Sequence, residues 1–219
     1  MLDWWLPENV STFGGQIDQL FHLIYWIVMV TFVLVAGAQI AFMVMYRHRP
    51  GRRATYTHGN TTLEIIWTIV PAVILVLLGI LSRGVWAEIK QTLPPADVTV
   101  RVNARQFAWK FVYSGPDGKF DTADDLEIPD ELHIPVNKTV VIQMTSEDVI
   151  HSFFMPHLRF KQDIVPGRMI PGWFIATKEG EYEIPCAELC GFGHSGMKGM
   201  LFVHSPAKYD EWIKERWPS

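Results

Sequence analysis

The sequence has very little cysteine, and it lacks the patterns that several common protein classes require. Cys186 and Cys190 are the only cysteines among 219 residues, so no network of disulfides stabilises this chain. No Cys-x-x-Cys-His pattern occurs, which excludes a covalently attached c-type haem. The formal net charge is −4, so the composition gives no support to a nucleic acid as a partner.

Charged residues are also missing from two long apolar runs. No Lys, Arg, Asp or Glu occurs in residues 21–46, FHLIYWIVMVTFVLVAGAQIAFMVMY, or in residues 65–81, IIWTIVPAVILVLLGIL. An α-helix rises about 1.5 Å per residue, so the first run can cross a hydrocarbon core of about 30 Å and the second comes close to doing so. The leader before the first run is acidic, and the run is too long for a signal peptide. The pattern predicts a two-helix transmembrane hairpin over residues 21–86.

The segment between the two runs is strongly basic. It begins RHRPGRR, in which four of the seven residues are arginine. Short basic loops remain on the cytoplasmic side of a membrane, so the loop 47–60 is predicted to be cytoplasmic. The N-terminal segment 1–20 and the chain beyond about Val85 are then both expected outside, on the periplasmic side of a bacterial inner membrane. Membrane lipid is therefore an expected partner, and the basic loop needs no nucleic acid to explain it.

Beyond the second run, the sequence changes from helical to alternating patterns. A turn-rich linker, 87–96, precedes residues 97–205, where short alternating stretches are separated by Pro, Gly and Asn. This pattern predicts an all-β domain of the sandwich or barrel type. Ser205 as N-cap and Pro206 at the first helical position predict a C-terminal helix over 206–219. The outer part has more acidic than basic residues, which suits a basic partner or serves solubility alone.

The two cysteines lie in the segment CAELCGFGHSGM, residues 186–197, and three kinds of site are open to it. Two thiols outside the cytoplasm pair as a disulfide by default, and Cys with His is the usual ligand set of zinc. Met197 adds a thioether to thiolate and imidazole, which is the soft set that copper selects. His151, at the end of a predicted strand, is a further ligand candidate. A Cys-His-Met loop with an upstream His on a β-sandwich is the cupredoxin arrangement, so the sequence favours copper.

Several long segments resemble one protein family, in the same order along the chain. CAELCGFGHSGM is similar to the binuclear copper-A loop of subunit II of the haem–copper cytochrome c oxidases. SEDVIHSFF and LRFKQDIVPGR resemble two other segments of that family, and NTTLEIIWTIVPAVIL resembles its second membrane helix. The resemblance covers almost the whole chain. It implies a two-helix membrane anchor followed by a cupredoxin-like Greek-key β-sandwich.

The resemblance also implies the ligands of two copper ions. They are two bridging cysteines, two histidines, a methionine and a backbone carbonyl: Cys186, Cys190, His151, His194, Met197 and Glu188. His151 and Met197 would complete one copper, and His194 with the Glu188 carbonyl would complete the other. The Glu188 carboxylate would reach a magnesium or manganese ion shared with subunit I. The resemblance implies no haem in this chain.

The function implied by the resemblance is electron transfer into a terminal oxidase. The chain would take single electrons from cytochrome c or another periplasmic donor and pass them to haem in subunit I, where oxygen is reduced to water and protons are pumped. Subunits I and III would be its partners. Glu64, in Thr61-Thr62-Leu63-Glu64, fits a capping box that closes the first turn of the second helix. In the family the matching glutamate lies at the cytoplasmic mouth of a proton pathway, and the two roles are compatible.

The chain departs from the family pattern at two places. The aromatic segment through which electrons enter usually reads Trp-Tyr-Trp, whereas QFAW here has Phe107 and Ala108 first and keeps only Trp109. Phe lacks the indole N–H, so either a donor other than cytochrome c docks there or Phe107 fills the same apolar contact. The acidic turn GPDGKFDTADDLE, residues 115–127, also looks like an addition. It is either a solvated loop or a calcium site outside the EF-hand pattern.

Two other functions share parts of this pattern. A nitric oxide reductase with a similar copper-bearing subunit would keep the copper ligands and reduce a different gas. A copper-binding chaperone or assembly protein would need fewer and more exposed ligands, and no glutamate in the second helix. A quinol oxidase subunit is disfavoured because that branch lacks the copper ligands.

Overall fold

The structure is a computed structural model, and it describes residues 5–217. Residues 1–4 and 218–219 are the outer ends of the predicted N-terminal segment and C-terminal helix, and they lie outside the described residues. The helices are α1 (Gly14–Met45), α2 (Thr61–Trp86), which a π-helical turn (Ala87–Gln91) continues, and α3 (Pro206–Arg216). The strands are β1 (Val98–Arg105), β2 (Ala108–Tyr113), β3 (Leu126–Pro129), β4 (Glu131–Pro135), β5 (Thr139–Ser146), β6 (His151–Met155), β7 (Phe160–Ile164), β8 (Ile170–Ile175), β9 (Gly180–Pro185) and β10 (Lys198–His204).

The helices α1 and α2 have the length and composition of membrane-spanning helices. Their 32 and 26 residues correspond to about 48 and about 39 Å, which is more than the hydrocarbon core of about 30 Å requires. Their apolar side chains are exposed in the isolated chain. α1 begins at Gly14, well before the uncharged run, and Pro71 lies inside α2 without ending it. The two predicted apolar helices are thus confirmed, and they precede the β-rich part of the chain.

The start of α2 differs from the sequence prediction. A capping box would place Thr61 at the N-cap and Glu64 at the end of the first turn. In the structure the N-cap is Asn60, whose side-chain oxygen accepts the Leu63 N–H at 3.1 Å. The Glu64 carboxylate instead lies close to Gly59. The capping-box prediction is therefore wrong, because asparagine is a stronger N-cap than threonine and the helix begins one residue earlier.

The strands form a sandwich. One sheet has the order β3-β2-β1-β5-β8, a second has the order β4-β10-β9, and β6 pairs with β7. Two pairs of neighbouring strands are parallel, namely β1 with β5 and β4 with β10. The chain therefore crosses between layers, as a Greek-key arrangement requires. Alternate residues of β1, Val100 and Val102, are fully buried, as are Trp109 and Phe111 of β2. The predicted all-β domain with inward-facing alternate residues is confirmed.

The segment ELHIPVNKTVVIQMTSED forms two strands across a turn, as the sequence predicts, but the two strands enter different sheets. β4 pairs with β10, whereas β5 pairs with β1 and β8. Asn137 in the turn adopts a positive φ of 59°, a conformation that asparagine tolerates better than most residues. The turn therefore carries the chain from one layer of the sandwich to the other.

The chain ahead of α1 packs against the sandwich. The Val10 N–H donates to the His157 carbonyl at 2.9 Å, and the Thr177 N–H donates to the Val10 carbonyl at 2.8 Å. Val10 and Phe13 are buried, and the Phe13 ring contacts the Trp173 ring edge-on. These contacts place the N-terminal segment and the chain after α2 in one compact unit.

A stack of rings joins α3 to the three-stranded sheet. The His133 ring lies between the rings of Phe202 and Trp212, with centroids 4.7 and 4.8 Å away. His133 Nδ1 is 2.9 Å from His204 Nε2, and its Nε2 is 3.3 Å from a Glu131 oxygen. Each histidine of this pair thus has a hydrogen-bond partner within the outer domain.

This histidine pair makes the stability of the outer domain depend on pH. Burial lowers the pKa of His133; the Glu131 carboxylate opposes this shift, and the nearby His204 and Arg216 add to it. Burial also lowers the pKa of His204, where Lys208 adds to the shift and Glu179 opposes it. The unfolded state therefore binds more protons, and the stability that is present above about pH 6.5 is lost as pH falls through the folded-state values.

We expect the melting temperature of the full chain in detergent to fall between about pH 7.5 and about pH 5. His204→Gln should flatten that dependence, because it removes one of the two coupled rings. His157→Gln, which lies outside the stack, is the control and should keep it. An equally steep dependence in the His204→Gln variant would show that other groups are responsible.

Candidate metal centre

The segment 186–197 is closed by the pairing of the strands on either side of it. β9 and β10 are antiparallel, and Pro185 lies opposite Lys198 at the end of the ladder. The Cys186 N–H donates to the Met197 carbonyl at 3.0 Å, which continues the ladder by one more pair. The loop of twelve residues therefore begins and ends at one point, which brings Cys186 and Met197 side by side.

A second segment reaches the same place from β6. An isolated bridge pairs Phe153 with Cys186, and the Ala187 N–H donates to the Ser152 carbonyl at 2.9 Å. His151, the first residue of β6, is fully buried beside the loop. Three of the ligand atoms, from His151, Cys186 and Cys190, lie within 4.8 Å of one another.

Every ligand candidate from the sequence has an atom near one of the two sulfurs. The Cys186 and Cys190 sulfurs are 3.9 Å apart, and both cysteines are free and buried. The neighbours of Cys186 Sγ are His151 Nδ1 at 3.9 Å and the Glu188 carbonyl oxygen at 3.3 Å. The neighbours of Cys190 Sγ are His194 Nδ1 at 3.6 Å and Met197 Sδ at 3.8 Å.

The donor set fits copper better than zinc. It combines two thiols, two imidazoles, a thioether and a carbonyl, whereas a structural zinc site is closed by four ligands of the Cys and His type. A buried thioether beside thiols is the soft environment that copper selects. The disulfide alternative finds no support either, because both cysteines are free.

The Cys190 thiol is held in an environment that resists its ionisation. Burial raises the pKa of the Cys190 thiol to about 11, and the adjacent Cys186 adds to this effect. A metal cation that binds this sulfur must therefore displace its proton, and the charge of the cation then replaces the missing solvation. The site consequently favours a bound cation over a free Cys190 thiolate.

Asp148 orients one of the histidines. Its Oδ1 is 2.8 Å from His151 Nε2, so the opposite ring nitrogen, Nδ1, faces the sulfurs. Burial opposes ionisation of Asp148, yet the hydrogen bonds from His151 and from the backbone N–H groups of Gln106 and Val149 outweigh it and lower its pKa. A carboxylate on the remote nitrogen of a metal-binding histidine is a common way of fixing the tautomer. Sequence reasoning missed this residue, although its position three residues before His151 was a usable signal.

The two aromatic residues predicted to lie where electrons enter differ in exposure. Trp109 is completely buried, and its ring contacts those of His151 and Phe153 edge-on. Phe107 is 39% exposed, and its ring lies against the backbone at Gly193 so closely that a Cβ there would be 2.5 Å from it. Of these two aromatic residues, only Phe107 is therefore accessible to a partner protein.

Exposed apolar side chains surround the same loop, and the sequence analysis did not single them out. Phe192 at the loop tip is completely exposed, Leu189 nearly so, and Ile150 beside His151 is about half exposed. The Glu188 side chain is also exposed, while its carbonyl faces Cys186. The loop thus combines a buried sulfur pair with an apolar outer surface.

The remaining candidates belong to other parts of the chain. Glu64 is in the first turn of α2, in the other compact unit. The carboxylates of the acidic turn accept hydrogen bonds from protein groups. Asp121 pairs with Arg101, Asp124 accepts the Thr122 hydroxyl, and Asp125 accepts the Asp121 N–H. These bonds account for the fold of that turn as a loop held by its own side chains.

Comparison with known proteins places both parts of the chain in one family. Residues 98–203 match the model of the cytochrome c oxidase subunit II periplasmic domain, and residues 3–85 match that of its transmembrane domain. Cytochrome c oxidase subunit 2 of Thermostichus vulcanus is 31% identical over 96% of this chain and 78% of its own length. The subunit 2 of Cereibacter sphaeroides is 38% identical over 74% of this chain and 63% of its own length.

A solved structure supports the same assignment for the outer domain. The periplasmic domain of subunit II of cytochrome oxidase (CoxB) of Bradyrhizobium japonicum is 31% identical, with a TM-score of 0.51. The match covers 57% of this chain and 96% of that one. Two apolar helices, a β-sandwich and a Cys-His-Met loop agree with these matches, and the chain belongs to the cytochrome c oxidase subunit II family.

Proposed function

We propose that this chain takes electrons into a terminal aerobic oxidase through a binuclear copper-A centre. Its family makes it a subunit of a cytochrome c oxidase, an oxidoreductase. The observation that carries the proposal is the buried convergence of two thiols, two imidazoles, a thioether and a carbonyl on one point. When bound there, two copper ions would supply a one-electron redox couple. The proposed ligands are Cys186, Cys190, His151, His194, Met197 and the carbonyl of Glu188.

The residues of the chain would keep this centre rigid. The β9–β10 ladder fixes both ends of the loop, and Asp148 fixes the His151 ring. Ligands that move little between oxidation states lower the reorganisation that electron transfer requires. The fully buried Trp109 supports this role, since its ring packs edge-on against the ring of His151.

We place the arrival of electrons at Phe107. Its exposed ring contacts the loop backbone next to Cys190, and the apolar side chains of Leu189 and Phe192 extend the same surface. Docking there would depend on apolar contact, because Phe107 has no N–H to donate. Cytochrome c or another periplasmic redox protein would be the donor. Trp109 is buried, so it would support the electron-entry surface from beneath without touching the donor.

Other residues would serve the assembled oxidase. The exposed Glu188 carboxylate would bind a magnesium or manganese ion shared with subunit I, and Glu64 would stand at the cytoplasmic mouth of a proton pathway. The electrons would pass to haem in subunit I, where oxygen is reduced to water with proton pumping, and subunits I and III would be the partners in the membrane.

We also propose the placement of the chain in the bacterial inner membrane. The transmembrane part, residues 21–86 with the basic loop 47–60 in the cytoplasm, would anchor the subunit. The linker 87–96, the copper-A domain 97–205 and the helix from 206 would lie outside with the N-terminal segment. The contacts of Val10 with the sandwich support this placement, because two membrane crossings return the chain to the side on which it began.

Two observations distinguish the proposed function from its rivals: how deeply the ligands are buried, and which gas the complex consumes. A copper-transfer or assembly protein needs accessible ligands, whereas His151, Cys190 and Met197 are almost completely buried. A nitric oxide reductase would use the same centre, so the purified complex should be assayed with both gases. We expect oxygen consumption driven by a reduced periplasmic donor. Consumption of nitric oxide alone would refute the oxidase assignment.

Cys190→Ser should abolish two-copper binding, because it removes a sulfur that would bridge both ions. In the full chain purified in detergent, copper content should fall and the visible absorption of the thiolate–copper centre should be lost. Ser195→Ala, an exposed residue in the same loop, should leave both unchanged. Full copper content and an unaltered spectrum in Cys190→Ser would mean that the ligand assignment is wrong.

Phe107→Ala should slow electron transfer from the donor without changing the visible spectrum of the centre, because it removes surface contact and leaves every ligand in place. Phe107→Trp should match or exceed the parent rate, since indole covers a larger apolar area. Stopped-flow reduction of the complex by cytochrome c measures both. Unchanged rates in Phe107→Ala would place the electron arrival elsewhere.

Glu64→Gln should lower steady-state oxygen consumption of the complex several-fold, because the amide cannot take up and release protons. Asn60→Ala is the control for helix capping, as it removes the N-cap and keeps the carboxylate. If Asn60→Ala lowers turnover as much as Glu64→Gln does, the glutamate acts only through the helix start.

A further inference from the structure

A two-residue turn between β1 and β2 contacts the loop 186–197, which carries most of the proposed metal ligands. It consists of Gln106 and Phe107, and both side chains reach the loop. The Gln106 side-chain amide Nε2 donates to the Cys190 carbonyl at 2.6 Å, which joins positions 84 residues apart. The Phe107 ring lies over Gly191 and Gly193 on the same stretch of backbone.

The same turn is also tied to the other ligand segment. The Gln106 backbone N–H donates to Asp148 Oδ2 at 2.7 Å, while Asp148 Oδ1 is 2.8 Å from His151 Nε2. One residue thus connects directly to the peptide of a sulfur ligand and, through one carboxylate, to a histidine ligand. This chain of hydrogen bonds therefore joins the Cys190 side of the centre to the His151 side through the Gln106 and Asp148 side chains.

The contact with Gln106 restrains a stretch of loop backbone that glycine would otherwise leave free to change its conformation. Gly191 follows Cys190 and has a φ of 136°, a region that residues with a Cβ rarely adopt. A Cβ at Gly191 would lie 2.6 Å from Gln106 Nε2, so the amide occupies space that only glycine provides. Without a partner, the peptide between Cys190 and Gly191 could change its conformation readily, and a shift of the Cys190 backbone would carry the Cys190 sulfur with it.

We propose that Gln106 is a positioning residue for the metal centre, which holds the Cys190 carbonyl and thereby aims the Cys190 sulfur at Cys186. This inference rests on the proposed copper function for its consequence, but its structural part concerns the metal-free chain. Its role differs from that of Phe107, whose ring would meet the donor. Gln106 would act through its hydrogen bond to the loop backbone and would set the geometry and spectrum of the centre.

The test compares Gln106→Met and Gln106→Glu with the parent, in the full chain purified in detergent. Both variants keep the length of the side chain, and neither donates from the same position at neutral pH. Arg105→Ala is the control, since Arg105 is exposed in the preceding position. Melting temperature and circular dichroism establish that each variant is folded, and the Glu variant decides the matter if the Met variant fails to fold.

In the metal-free chain, we follow amide hydrogen exchange of a peptide containing His194 and Gly196, whose N–H groups donate to the carbonyls of Gly191 and Gly193. We expect this exchange to accelerate roughly fivefold in both variants, the factor expected when a hydrogen bond of about 1 kcal/mol is lost. Arg105→Ala should exchange at the parent rate. With copper added, both variants should retain the parent stoichiometry but show a shifted visible band and altered copper hyperfine couplings.

Parent-like exchange together with a parent-like spectrum in both variants would overturn the positioning role. A parent chain that binds no copper would refute the proposed function instead, while the exchange experiment would still decide whether Gln106 holds the loop. The two failures are therefore distinguishable.

Discussion

The sulfur atoms of Cys186 and Cys190 lie 3.9 Å apart inside the outer domain, and both thiols are free and buried. Without a disulfide or a metal between them, such a pair adds little to the stability of the fold. Burial raises the pKa of the Cys190 thiol to about 11, so this thiol stays protonated unless a cation replaces the lost solvation. The surrounding structure is organised to keep these atoms together. The antiparallel β9–β10 ladder brings the ends of their loop to one point, and the bridge from Phe153 to Cys186 adds β6 with His151.

Around the six ligand candidates lies a layer of residues that would never touch a metal. Asp148 fixes the His151 ring, Trp109 packs against it, and Gln106 holds the Cys190 carbonyl. Asp148 and Trp109 both contact His151, and Gln106 joins Asp148 to the Cys190 peptide, so these residues restrict the movement of the ligands. The outer surface of the loop is different in character, since Phe192 and Leu189 are exposed and apolar. Rigidity inside and an adaptable surface outside suit a site that exchanges electrons with a separate protein.

The sequence predicts the helices, the sandwich and the grouping of the ligands because each leaves a local pattern. Uncharged runs reveal α1 and α2, alternation reveals β1, and Cys, His and Met at short spacing reveal the loop. It does not predict which sheet a strand enters, and β4 and β5 separate at Asn137 although they read as neighbours. The N-cap at Asn60 was missed because two threonines follow it with a plausible glutamate. Gln106 is invisible to spacing arguments, since its partner Cys190 is distant in the chain and is reached only through the fold.

On the proposed function, two copper ions held by Cys186, Cys190 and their neighbouring ligands would share a single unpaired electron. Electron paramagnetic resonance of the copper-loaded full chain in its oxidised state tests this most directly. The account predicts hyperfine structure from two equivalent copper nuclei, together with a purple colour. A spectrum from one isolated copper, or a colourless chain that binds zinc in its place, would contradict it.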